Sequence, residues 1–327
     1  MVEQRLKSGI FQLPDIEIKN KKILVTGGAG FLGKYVVSEL LNNGAVKENI
    51  VIPRSSENDL RNFEVCNTLL KDVDIVIHLA ARVGGIGFNQ KYPGALFYDN
   101  AIMGINIIEA ARINKVEKTV IVGTVCSYPK FTPTPFKEES LWDGYPEETN
   151  APYGVAKKAL LVQAQSYRAQ YGMNIIYLIP VNLYGPGDHF DLEDSHVIPA
   201  LIRKFVEAKE RNDKEVIVWG TGNVSREFLY VEDVARGIVS GLLNYNKEEP
   251  VNLGTGEEIK IKDLVELVKD IVGYKGDLVW DKSKPDGQPR RKLDTSLAEL
   301  EFSFKSTVLL KTGLEETILW YLKNQDI

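Results

Sequence analysis

The sequence predicts an α/β protein: a doubly wound parallel sheet followed by a smaller C-terminal α/β lobe. Three observations predict it. A short β-rich run at 22–26 (KILVT) leads through glycines at positions 27, 30 and 33 into a helical segment. Apolar strands and helical stretches then alternate through the first half of the chain, the pattern of parallel strands joined by helical crossovers. The length of 327 residues suits one large domain with a smaller lobe, or two modest domains. A hydrophobic fraction of 44% and a charged fraction of 26% are those of an ordinary globular protein.

The first strand, turn and helix carry the first chemistry. Gly27 permits the tight turn, Gly30 lets backbone approach a pyrophosphate, and Gly33 lets helix and strand pack closely. The helix N-terminus, beginning at Phe31 and Leu32, then faces phosphate charge. This is the Rossmann-type arrangement for a nicotinamide dinucleotide. A second strand at 50–52 ends in Pro53, Arg54, Ser55 and Ser56 rather than in the acidic residue that holds a ribose 2′-hydroxyl. A cation with hydroxyls suits a 2′-phosphate, so the reading favours NADPH/NADP, with NAD the alternative. Asp59 and Leu60 stand where a loop meets the adenine.

The next strand, 74–80, ends at Ala80 and Ala81, and a helix is predicted over 97–113. A further strand at 118–123 ends at Gly123 and Thr124. Ligands in such sheets bind beyond the carboxyl ends of the strands. Tyr153 and Lys157 follow at the start of a helical stretch running through Tyr167. Residues four apart share a helix face, so the Lys157 ammonium is expected to approach the Tyr153 phenol. A nearby cation favours the ionised phenol, whose unperturbed pKa is about 10. Tyr153 is thereby a candidate acid or base, with Thr124 supplying a further hydroxyl.

Glycine turn, strand-end hydroxyl and Tyr-x-x-x-Lys, in this order, resemble the extended short-chain dehydrogenase/reductase family. The second half narrows the resemblance. The segments CSYPK (126–130), ETNAPYGVAK (148–157), PVNLYGPGDHF (180–190), SHVIPALIRK (195–204), VWGTGNVSREFLYVEDVA (218–235) and SKPDGQPRRKLD (283–294) are similar to the GDP-L-fucose synthases. The similarity covers nearly all of residues 22–325.

The resemblance implies an NADPH-dependent 3,5-epimerase and 4-reductase acting on GDP-4-keto-6-deoxy-D-mannose. It implies Cys126 and His196 as base and acid for the epimerisations, and Tyr153 as proton donor in the reduction. The chemistry fits, because a C4 ketone acidifies the protons on both neighbouring carbons. Pro180 is implied at the cofactor. Asn182, Lys204, Trp219, Arg226, Lys284 and Arg290 are implied at the nucleotide sugar, where cations suit a pyrophosphate and the indole offers a wall. A homodimer through the helices flanking the sheet is also implied.

Three departures stand out. The turn reads GGAGFLG where those enzymes often carry GHRGMVG. Thr124-Val125 replaces Ser-Ser. Lys204 replaces an arginine, losing bidentate geometry. The alternatives are an epimerase or reductase for another nucleotide-linked keto sugar, including a heptose, an NAD-dependent C4 epimerase, and a non-catalytic nucleotide-binding scaffold.

Residues 1–20 read as an N-terminal extension without the apolar core of a signal peptide. Residues 21–190 read as the cofactor domain. Residues 191–327 read mainly as the sugar-nucleotide lobe, with a return to the cofactor domain at about 215–255. A formal charge of -5 argues against nucleic acid or an anionic membrane as the main partner. No run of about 18 apolar residues suggests a membrane span. Two cysteines, Cys66 and Cys126, suit a reducing cytoplasm. No metal is called for.

Overall fold

The computed structural model describes residues 16–192, 194–284 and 286–324. Most of the expected N-terminal extension, residues 1–15, lies outside them. The part that is described is not detached: Ile16 and Ile18 are buried in the main core.

The main sheet is assembled from strands buried on both faces. Strand β1 (Ile23–Thr26) lies between β2 (Ile50–Val51) and β3 (Ile75–His78), with β4 (Lys118–Val122) and β5 (Ile175–Pro180) beyond β3. All pair in parallel. Every residue of β1, β3, β4 and β5 is buried. Hence they read as continuous apolar, β-branched runs rather than as alternating patterns.

Helices cover both faces. On one side α1 (Phe31–Asn42) packs beside a later helix. On the other, α2 (Phe63–Leu69) packs on α4 (Pro93–Ile113), and α4 on α5 (Ala151–Tyr171); a short α3 (Ile86–Lys91) precedes α4. Pro93 occupies the first turn of α4, where its missing N–H costs nothing. Helix α5 ends at Gly172, whose φ of 67° is the left-handed cap.

After β5 the chain builds the second lobe: β6 (Asn182–Tyr184), α6 (Val197–Arg211), β7 (Glu215–Trp219), β8 (Ser225–Arg226) and β9 (Phe228–Tyr230). It returns with α7 (Val231–Asn244), which packs against α1, and β10 (Val251–Leu253), which pairs in parallel with β5 as the sixth strand. Then come β11 (Ile259–Lys260), α8 (Ile261–Val272), β12 (Asp277–Asp281), α9 (Ser296–Phe302) and α10 (Leu310–Lys323).

The boundaries differ from the expectation. Strand β7 does not return to the main sheet; it pairs with β12, and its burial alternates, as on a sheet covered on one face only. The return begins at α7. Helix α9, although late in the chain, packs into the main core through Ala298 and Phe302. The lobe has its own apolar cluster, centred on Phe205, Leu264, Val265 and Val268. Among the described residues no helix is long and apolar enough to cross a membrane.

Candidate active site

The order of the sheet reverses between β1 and β3, which opens a crevice at the carboxyl ends of those strands. A cavity of about 1160 Å³ starts there and runs to the second lobe. The glycine turn forms its floor. Gly27 has φ 71°, and a Cβ there would stand 2.9 Å from Ala80 N. At Gly33 a Cβ would stand 2.1 Å from the Gly27 carbonyl oxygen. The first needs glycine for its backbone angle, the second for close packing of helix on turn. This is a cradle of bare backbone at a helix N-terminus, and it fits a dinucleotide pyrophosphate.

Every residue expected at the cofactor lines this cavity: Gly27, Gly30, Phe31, Leu32, Gly33, Arg54, Asp59, Leu60, Ala80, Ala81, Lys157 and Pro180. Asp59 is not a free acceptor, however. Its carboxylate grips Arg61 at 2.8 Å, which holds its pKa down to about 2. Arg61 and Arg82 both reach Asp99, continuing the ion pairs along the wall.

At the carboxyl end of β4 and the start of α5 stand Thr124, Cys126, Tyr153 and Lys157, all lining the cavity. Thr124 caps the 3-10 turn Val125–Ser127 by accepting the Cys126 N–H at 3.2 Å, which fixes the cysteine beside the threonine. One expectation is corrected. The Lys157 ammonium donates to the Val122 carbonyl at 2.9 Å. Burial lowers its pKa to about 8. The Tyr153 phenol is not lowered by a cation; burial, and then negative charge on the Cys126 sulfur, push it up, with the Thr124 hydrogen bond opposing. Desolvation outweighs the four-residue spacing, so the phenol holds its proton.

His196 precedes α6 but makes no side-chain cap bond, so its imidazole is not spent on the helix. It is open to the cavity yet closely surrounded by protein. Burial lowers its proton affinity, followed by Arg291 and His189, while Asp194 raises it.

Asn182, Lys204, Trp219 and Arg226 line the distal end. Trp219 is 48% exposed, with the Lys204 and Lys284 ammoniums 5.5 Å and 5.0 Å from its ring centroid. Lys284 thus sits at the rim. Arg226 is less free than expected. Its guanidinium donates to the carbonyls of Ser225, Gln288 and Asp286 at 2.5 to 2.8 Å, bracing the loop around Gly287.

Arg290 is a second correction. It lies outside the cavity lining and pairs with Glu258 on the outer surface. The next residue, Arg291, is the one that faces in. It is buried and donates to Asn182 Oδ1 at 2.8 Å and to Gln288 Oε1 at 3.2 Å. Two adjacent arginines gave no sequence signal for which would turn inward. Asp188 and His189 also line the cavity and were not singled out by sequence.

Fold and site together define a dinucleotide-dependent enzyme of the Rossmann class. Residues 23–254 match the NAD dependent epimerase/dehydratase family, and the chain belongs to that family. It is 43% identical over 309 residues to GDP-L-fucose synthase 1 of Arabidopsis thaliana, covering 94% of each chain. Among solved structures it is similar to a GDP-6-OMe-4-keto-L-xylo-heptose reductase from C. jejuni, with TM-score 0.88 and 30% identity over 95% of this chain and 99% of that one. It is also similar to a GDP-L-fucose synthetase from Naegleria fowleri bound to NADP, with TM-score 0.82 and 30% identity over 96% and 97%.

Proposed function

We propose that this chain converts GDP-4-keto-6-deoxy-D-mannose to GDP-L-fucose, by epimerisation at C3 and C5 and reduction at C4, with NADPH as reductant. One observation carries the reading. Cys126 and His196, which a simple reductase does not need, open onto the same cavity as Thr124, Tyr153 and Lys157. Similarity to fucose synthases over nearly the whole chain supports it. The NADP in the similar Naegleria structure supports the choice of cofactor.

The residues divide the work as follows. The glycine turn and Arg54 hold the cofactor, which when bound supplies hydride for C4. Thr124 and Tyr153 hold the C4 oxygen, and this polarisation acidifies the C3 and C5 protons. Cys126 as thiolate takes a proton from carbon, and His196 as imidazolium returns one on the opposite face. When the ketone is reduced, Tyr153 delivers its proton to the C4 oxygen. Lys204, Lys284, Trp219 and Arg291 form the cationic and aromatic end that receives the nucleotide diphosphate.

The test is incubation with NADPH and GDP-4-keto-6-deoxy-D-mannose, with the product identified by NMR. GDP-L-fucose is expected; a C4-reduced sugar with unchanged C3 and C5 overturns the epimerase assignment. The second reading, a GDP-linked keto-heptose substrate, draws on the similarity to the heptose reductase. It gains if the deoxymannose derivative is inert and a GDP-4-keto-heptose is consumed. In the Cys126→Ser variant, deuterium uptake from solvent into the keto sugar should slow on the order of 100-fold while NADPH affinity holds. Unchanged uptake would return Cys126 to the role of a packed thiol. We further infer a homodimer and a cytoplasmic setting, the latter supported by two unpaired thiols.

A further inference from the structure

The loop between β6 and α6 carries a pair of side chains that the reaction as described leaves unused. His189 Nε2 lies 2.6 Å from Asp194 Oδ1. A carboxylate only accepts, so in the neutral ring the proton sits on Nε2 and the lone pair on Nδ1. An imidazole oriented this way by a carboxylate is built for proton transfer at its other nitrogen.

The pair is tied to its surroundings on both sides. The His189 N–H donates to Asp188 Oδ1 at 2.7 Å, and the Gly85 N–H donates to the Asp194 carbonyl at 2.7 Å. Phe190, next in the chain, stacks on Tyr321 with ring centroids 4.5 Å apart. Its position bridges two environments. His189 lines the cavity shared with Cys126 and His196, yet its side chain is 64% exposed. Its partner Asp194 stands two residues before His196 in the chain, and all three side chains line the one cavity.

The proton count of the reaction leaves a gap of this shape. One inversion moves a proton from carbon to Cys126 and another from His196 to carbon. Afterwards Cys126 is a neutral thiol and His196 a neutral imidazole. A second inversion requires both to be reset, with a proton leaving Cys126 and a proton reaching His196. We propose that His189, oriented by Asp194, is the relay that returns that proton to His196. Its Nδ1 takes a proton from hydronium or a buffer acid and passes it to the His196 ring, while the Cys126 proton leaves to water. The net change is one proton in and one out. The relay rests on the proposed roles of Cys126 and His196, and His189 acts through His196 rather than on the sugar.

The experiment compares the wild-type enzyme with His189→Asn and Asp194→Asn in deuterated solvent, following deuterium entry into GDP-4-keto-6-deoxy-D-mannose at low buffer concentration. The expected result is roughly tenfold slower uptake in both variants, restored by added imidazole, with NADPH affinity unchanged. Uptake equal to wild type overturns the relay. So does a loss that imidazole fails to restore, because a damaged fold would not respond to a small proton carrier. If the wild-type enzyme itself takes up no deuterium at C3 and C5, the proposed epimerisation falls and the relay with it.

Discussion

At Tyr153 three influences meet. Burial and negative charge on the Cys126 sulfur push the phenol up, and the Thr124 hydroxyl pulls it down. The net direction is up, so near neutral pH the phenol is a protonated donor. That is the state required to protonate an oxygen as hydride reaches the neighbouring carbon. Tyr153→Phe removes the donor and leaves the ring. Turnover followed by NADPH oxidation should drop between about 100- and 10,000-fold, with NADPH affinity retained. A variant within twofold of wild type would rule out the assigned role. Asp188 offers a second prediction. One of its carboxyl oxygens is enclosed without a partner, and burial pushes its pKa up to about 7 from a usual 3.8. Between those values the folded chain holds a proton that the unfolded chain has lost. The stability this proton represents is fully present below about pH 4 and lost as pH rises through about 7. Asp188→Asn mimics the protonated acid at every pH. Its melting temperature should match wild type near pH 4 and exceed it by on the order of 3 °C at pH 8. Parallel melting curves for the two proteins across that range would show that the carboxyl is not the cause.

The strand–turn–helix element from β1 to α1 was legible in the sequence because each of its requirements selects a residue type. Strands buried on both faces demand continuous apolar runs, and a turn approached by backbone demands glycine. Gly33 is the tightest case. A methyl group there would stand 2.1 Å from the Gly27 carbonyl oxygen and 2.5 Å from Gly28 Cα. Both are backbone atoms that no rotamer change can clear. Gly33→Ala should therefore cost about 3 kcal/mol in denaturant unfolding and weaken NADPH binding through the displaced turn. An unperturbed unfolding midpoint would mean that helix and turn can separate freely. Other elements were less legible. Strand β7 has strand composition, but nothing local says that its partner is β12 rather than the main sheet. The inward turn of Arg291 in place of Arg290 depends on Asn182 and Gln288, which are distant or uninformative in sequence. The target of Lys157, the Val122 carbonyl, lies 35 residues away, so helical spacing pointed to Tyr153 instead. His189 became visible only when the loop brought Asp194 to its ring. Contacts set by composition and period can be read locally, whereas contacts set by which chain segment arrives opposite cannot.

At the scale of the whole molecule, the cofactor sheet and the second lobe bury separate apolar clusters, and the cavity lies where they meet. Among the described residues, an apolar surface lies away from that cavity. Helices α4 and α5 pack side by side on the face of the sheet, and Gln163 reaches the Ile105 carbonyl at 3.3 Å. Their outer sides present Phe97, Tyr98, Ile105 and Val162, with Tyr98 59% and Val162 47% exposed. Neighbouring apolar side chains on two adjacent helices form a patch of the kind that marks an interface. Val162 stands nine residues beyond Tyr153 on α5. At 100° per residue, that places it half a turn round, on the opposite side of the helix from the Tyr153 phenol. A second copy docked on this face would cover the patch and leave the cavity open. In such a dimer α5 would be clamped between partner and sheet, which would stiffen the helix that carries Tyr153 and Lys157. Size-exclusion chromatography with light scattering should therefore find a dimer, and Val162→Glu should shift it to monomer by placing a charge at the interface. The monomer should still bind NADPH, since Phe97, Tyr98, Ile105 and Val162 lie outside the cavity lining, but should turn over more slowly as α5 loosens. A wild-type protein that runs as a monomer at micromolar concentration, or a Val162→Glu variant that remains dimeric, would move the interface elsewhere.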